Sequence, residues 1–254
     1  TFSFTTGSVG ATSRISVTIS SSSANPITKS FSITPGEIAL IWEAIDSYTP
    51  PFYKGKALPS FQAKIKIVAI PNLKTGGVKI KGENLIYKWK KNDKSDQANS
   101  GFGKNTLSIN SGYTDSFEKV EVGASPADGG VSAVAQIIIP ISTPFVLLYE
   151  DKPLEGVYYE RVLPSRLFLD NEEIKIVSEP YSFSSLDKNK IGIDFSWLIN
   201  GESVLGDALD PGTIVLRTQK SVSGVSEVSL GVKNKNKLLQ ENKASILIEF
   251  GNTQ

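Results

Sequence analysis

The residue types best suited to recognition sit in one stretch, Tyr48-Thr49-Pro50-Pro51-Phe52-Tyr53-Lys54-Gly55-Lys56. Tyr48, Phe52 and Tyr53 beside Lys54 and Lys56 set aromatic faces next to cations on a loop that paired prolines hold extended, a combination that receives a sugar ring or a partner's peptide. A shorter version recurs as Tyr158-Tyr159-Glu160-Arg161, with Tyr158, Tyr159 and Arg161 as the counterparts. Recurrence also suits a structural role, in which the aromatics close the open end of a sandwich or the junction with a neighbouring module. Asp170-Asn171-Glu172-Glu173 and Asp207 with Asp210 carry oxygen ligands of the kind calcium takes, but without EF-hand or RTX spacing they read as ordinary strand-connecting turns.

Catalytic chemistry has little to work with. Cysteine and histidine are both absent, which removes disulfides, thiol nucleophiles, zinc sites of the usual kind and the commonest general base. No nucleophile motif and no paired acids stand out, so no catalytic residue, metal or cofactor is expected. The formal charge of +1 gives no field to attract nucleic acid or an acidic membrane. The longest apolar run, Val131 to Ser142, is broken by Gln136 and Pro140 and is too short to cross a bilayer. With no Met at position 1 or elsewhere, the chain reads as a processed or cut product.

Strands must position these residues. The chain of 254 residues is 39% apolar, enough for one large core or two ordinary ones. Apolar residues alternate with polar ones at Phe2/Phe4, Ile15/Val17/Ile19, Phe31/Ile33, Ala63/Ile65/Ile67, Leu107/Ile109 and Val120/Val122, and period two means strand. Tyr87-x-Trp89 and Phe195-x-Trp197 place an aromatic and a Trp on one strand face, each followed three residues later by an Asn that opens a turn. Tyr87, Trp89, Phe195 and Trp197 are therefore expected in the cores.

The two Trp strands belong to a tandem repeat. Phe145 to Tyr149 answers Ile38 to Trp42, Arg161 to Ser165 answers Lys56 to Ser60, Glu227 to Gly231 answers Lys119 to Gly123, and Ile246 to Ile248 answers Ile137 to Ile139. The repeat predicts modules over 36–142 and 143–254. On the same template, residues 1–35 are the last three strands of an incomplete module, whose apolar residues Phe2, Phe4, Ile15, Val17, Ile19, Phe31 and Ile33 lack the strands that would cover them. Either the chain is a piece of a longer array, or another copy supplies the cover by strand complementation.

About seven short strands per module around a buried Trp fit an immunoglobulin-like sandwich. On these motifs the chain resembles the Ig-like and PKD-like tandem modules of bacterial surface proteins. The stretch from Ser47 to Pro59 is similar to one in uncharacterised exported proteins of candidate-phyla bacteria. Trp89-Lys90-Lys91-Asn92-Asp93 lacks the Gly-Asp-Gly usual in PKD repeats. The resemblance implies an all-β, non-enzymatic protein, exported to the cell surface or beyond as a stalk or filament component. Its partners would be copies of itself or neighbouring Ig-like modules, with a glycan or protein ligand of the Tyr48–Tyr53 loop as the alternative. Surface-fibre sandwiches sometimes carry Lys-to-Asn crosslinks, but Lys64, Lys66 and Lys175 fall on outward strand faces, which argues against that role for them.

Overall fold

A computed structural model describes residues 3, 5, 7–21, 24–169, 172–189, 192–218 and 222–251. The chain forms two compact units, one of Thr1–Glu43, Lys66–Ile109 and Phe117–Ile139, the other of Ala44–Ile65, Asn110–Ser116 and Pro140–Gln254. The proline-aromatic stretch thus groups with the second unit.

The strands lying mostly in the first unit are β1 (Ser13–Ser21), β2 (Ala24–Pro35), β3 (Glu37–Ala44), β4 (Lys64–Asn72), β5 (Lys74–Thr75), β6 (Val78–Lys79), β7 (Ile86–Lys91), β8 (Lys94–Phe102), β9 (Thr106–Asn110), β10 (Phe117–Ser125) and β11 (Val131–Pro140). They form one sheet in the order β1-β2-β11-β10-β7-β8, a second in the order β3-β4-β9, and a β5–β6 ribbon. The second unit holds β12 (Phe145–Lys152), β13 (Gly156–Val157), β14 (Arg166–Leu169), β15 (Glu173–Tyr181), helix α1 (Ser185–Asn189), β16 (Ile193–Ile199), β17 (Glu202–Val204), β18 (Thr213–Arg217), β19 (Gly224–Asn234) and β20 (Glu241–Phe250). Its sheets run β13-β12-β15-β18 and β14-β20-β19-β16-β17. Strands β3, β4 and β9 take the places of β12, β15 and β18, while β11, β10, β7 and β8 take those of β20, β19, β16 and β17. A three-stranded sheet against a four-stranded one in this order is an immunoglobulin-like sandwich, and the protein is all-β with that arrangement in tandem.

Each sandwich is pinned by its Trp. Trp89 and Trp197 are almost fully buried, and their indole N–H groups donate to backbone carbonyls of a following connection, Lys104 at 2.8 Å and Pro211 at 3.0 Å. A buried ring therefore leaves no unsatisfied donor. Tyr87 is fully buried and gives its hydroxyl to the Gly82 carbonyl at 2.9 Å, whereas Phe195 is half-buried and packs against the second core. Three residues past each Trp, Asn92-Asp93 and Asn200-Gly201 turn the chain with positive φ at both positions, the pattern of tight hairpins. Both Asn residues also bind the neighbouring strand of the sheet, β10 or β19: the Oδ1 of Asn92 accepts from the Lys119 N–H and that of Asn200 from the Glu227 N–H.

Strands β1 (Ser13–Ser21) and β2 (Ala24–Pro35) pair antiparallel along their length as one long hairpin, where the sequence predicts two shorter strands separated by a turn region. Strand β2 starts as early as Ala24 because period two continues back through Ile27. The register pairs Ile15 with Phe31, Val17 with Lys29 and Ile19 with Ile27 on one face. The other face carries hydroxyl pairs, Ser16 with Ser30 at 2.7 Å and Thr18 with Thr28 at 2.8 Å. Val17, Ile19, Ile27 and Phe31 are exposed, Ile15 and Ile33 half-buried. Phe2 and Phe4 lie outside the described residues.

Among the described residues the hairpin joins the sheet at two positions, Thr34 and Pro35 running parallel to Val131 and Ser132 of β11. At Gly36 the chain then leaves for the β3 sheet. A Cβ there would come within 2.9 Å of Leu73 Cγ and 3.1 Å of Ala133 Cβ, so the crossing requires glycine. Gly36→Ala is expected to destabilise the first unit by about 1–3 kcal/mol through overpacking, measured as a lower denaturant midpoint; an unchanged midpoint would mean the crossing is loosely packed.

Candidate functional site

The outer face of the β12–β15 pair carries the aromatic site. Antiparallel pairing sets Phe145 opposite Tyr181, Leu147 opposite Glu179 and Tyr149 opposite Val177. Alternation then turns Val146, Leu148, Ile174 and Ile176 into the core and the first set outward. The segment 47–60 lies over that outer face. Pro50 and Pro51 remove two backbone donors and fix φ. The Tyr53 N–H donates to the Pro50 carbonyl at 3.4 Å, and Phe52 has a φ of 62°. Proline followed by a positive φ is a type II turn, in which that second position normally goes to Gly or Asn.

Tyr48 and Tyr159 both donate their hydroxyls to the buried Glu179 carboxylate, each at 2.7 Å, and the Lys188 ammonium lies 3.6 Å from the same group and 3.7 Å above the Tyr48 ring. The Tyr149 and Tyr181 hydroxyls meet at 2.7 Å. The Phe145 and Tyr181 rings stack with centroids 4.7 Å apart, Tyr53 meets the Tyr181 edge, and Phe52 tilts toward Tyr159 at 6.2 Å. Tyr48, Phe52, Tyr53 and Tyr159 are therefore brought together. Tyr48 and Tyr159 are half-buried, while Tyr53 is 44% and Phe52 86% exposed, so only the last two present substantial faces to solvent. Lys54 and Lys56 are exposed. Tyr158 and Arg161 stand apart from this cluster, lining a cavity of about 310 Å³ with Glu150, Lys152 and Leu163.

The two ends of the segment are tied into the second unit. Buried Asp46 pairs with Lys237 and accepts from the Ser184 hydroxyl at 2.7 Å and the Leu186 N–H at 3.2 Å. Tyr48 exchanges backbone hydrogen bonds with Ser182 and Phe183. Buried Gln240 donates to Ser60 Oγ and the Phe61 carbonyl. Among the candidate calcium ligands, Asp207 accepts from the Leu209 and Asp210 N–H groups, which hold its carboxyl below the usual range, and Asp210 accepts from Thr213 Oγ1. Their geometry is that of a turn. Among the described residues no cluster of three or more Asp, Glu, His or Cys has the arrangement of a metal site. Among the described residues no helix is long and apolar enough to cross a membrane.

Sequence reasoning missed Glu179, Phe145, Tyr149, Tyr181 and Lys188. The usable signal was the parity of β12 and β15, which places three aromatics and one acid on a single face. Burial, then hydrogen bonding to Glu179, then its charge raise the Tyr48 and Tyr159 hydroxyls well above their usual range. Burial and the bond to Tyr149 do the same to Tyr181. With folded values above an unfolded value near about 10, the stabilisation is intact below that pH and is lost as pH climbs beyond it, because the unfolded chain then releases protons that the folded one keeps. Stability should fall above about pH 10, and less steeply in Tyr159→Phe than in the parent; equal slopes in denaturant titrations would remove the hydroxyl from the account.

No family model matches the chain, and no curated protein matches it. Solved structures that resemble it include three N-terminal domains of the highly immunogenic outer capsid protein of bacteriophage RB49 (TM-score 0.45, 11% identity, 85% of this chain and 59% of that one). Others are the fibronectin(III)-like modules of Clostridium thermocellum CbhA (TM-score 0.25, 16% identity, 84% and 94%) and a Dscam isoform-specificity structure (TM-score 0.28, 12% identity, 82% and 47%). The chain spans 59% of the length of the phage capsid structure.

Proposed function

We propose that the chain is a non-enzymatic, exported structural or adhesive protein, a surface stalk or extracellular filament component, whose module division is that of the sequence repeat: a partial module over 1–35, then 36–142 and 143–254. Copies associate by strand complementation through the N-terminal hairpin. The observation that carries this reading is the apolar row of that hairpin, with Phe31 at 50%, Ile19 at 66% and Ile27 at 63% exposed, backed by a face of paired hydroxyls suited to water. A two-stranded ribbon with a bare apolar face is marginal by itself and gains stability by covering that face. Light scattering across a concentration series, with electron micrographs, should show a mass that climbs with concentration and elongated assemblies. A constant monomer mass would contradict the reading.

A second reading has support of its own. A phenylalanine at positive φ costs about 1–2 kcal/mol, and here that conformation holds an aromatic ring out in solvent at the tip of a proline-braced loop. Such strain is kept at binding sites, and Phe52 with Tyr53 forms the contact surface for a glycan ring or a partner protein. Phe52→Ala with Tyr53→Ala should abolish retention on a glycan array or partner column while the unfolding midpoint moves by less than about 1 kcal/mol, as surface changes do. Retention equal to the parent's would remove the loop as a receptor.

A further inference from the structure

We propose that the outer edge of β11, from Ala133 to Ile139, accepts a parallel strand, and that the strand it takes is β1 of a second copy of this chain. The inference rests on the self-association proposed above and gives it an address. Beyond Val131 and Ser132, β11 has no neighbour on that side among the described residues, because β2 turns away at Gly36. Natural edge strands are kept from pairing by charged side chains, prolines or bulges. Val131 to Ile139 has no charged residue and no proline before Pro140, and it shows Val134 and Ile138 to solvent at 68% and 57%. It is a long, uncharged, uncovered edge.

The second sandwich supplies the pattern of what belongs there. Its equivalent strand, β20, is covered by β14 in parallel, Arg166 to Leu169 against Leu247 to Phe250. The inward residues of that cover, Leu167 and Leu169, pack on the core. The sequence repeat equates Ile246-Leu247-Ile248 with Ile137-Ile138-Ile139, so the bare stretch of β11 includes the positions that β14 protects in the other sandwich. A parallel strand with alternating apolar residues fits it, joined by main-chain hydrogen bonds.

Strand β1 has that character. It is nine residues long, alternates Ile15, Val17 and Ile19 with Arg14, Ser16 and Thr18, and stands at the border of its sheet with one edge unpaired among the described residues. Its own β11 is out of reach, since β2 lies between them in the sheet. The donor is therefore a second copy. Donor and acceptor are different surfaces, so each added copy brings a new free edge and the contact does not close.

Three chains test this: the parent, an acceptor variant with Val134→Lys and Ile138→Lys, and a donor variant with Val17→Lys and Ile19→Lys. All four positions are exposed, so the lysines bury no charge. Unfolding curves matching the parent's verify that the sandwiches are intact. Light scattering should give a rising mass for the parent, one chain's mass for each variant alone, and a doubling of that mass in their equimolar mixture, where one functional donor meets one functional acceptor. Association of the acceptor variant equal to the parent's would overturn the β11 assignment and leave the self-association reading standing. A mixture that stays monomeric, or a donor variant that dimerises by itself, would likewise overturn the pairing of β1 with β11. A parent that stays monomeric at every concentration would sink both.

Discussion

A strand at the border of a sandwich presents backbone N–H and C=O groups on one side with no partner strand, and how that row is satisfied organises this protein. Water can do it for a short, twisted or charged edge; a long apolar one is drawn to another strand. The second unit meets the constraint internally, with β14 laid along β20. In the first unit, among the described residues, the covering chain pairs with Val131 and Ser132 before Gly36 sends it across to the other sheet. Beside the same strand, the hairpin's apolar row is left bare. An uncovered edge and an unburied row on one chain are the two features on which the proposed contact between copies rests.

The aromatic site follows a different economy. The segment 47–60 covers the outer face of β12–β15, and its polar anchors are nearly all satisfied within the second unit: Asp46 by Lys237 and Ser184, Glu179 by two tyrosines, Gln240 by Ser60 and Phe61. Buried charges of this kind are stable only when paired and hydrogen-bonded. What the cluster leaves exposed is narrow, the rings of Phe52 and Tyr53 on a turn that phenylalanine does not favour.

Much of the architecture was legible in the residues. Period-two alternation located most strands, and the repeated aromatic-x-Trp with its following Asn identified equivalent strands in both sandwiches, because a buried indole and a tight hairpin leave few alternatives. The long hairpin was only partly legible: Asn25-Pro26 reads as turn chemistry, and the pairing of Thr18 with Thr28 that carries the ladder back toward it emerges only from the register. Glu179 was hidden for a related reason, since a glutamate near the end of a strand reads as a solvated charge unless the tyrosines that approach it from distant segments are known. Helix α1 is too short to carry a periodic signal.

The most direct measurement is amide hydrogen exchange along β11 and β20 over a range of protein concentration. Those amides of Ala133 to Ile139 that β10 leaves unpaired should exchange quickly in dilute solution and become protected as the protein is concentrated. Amides of β20 opposite β14 should stay protected throughout. Protection of β11 that does not depend on concentration, whether uniformly high or uniformly absent, would contradict the account.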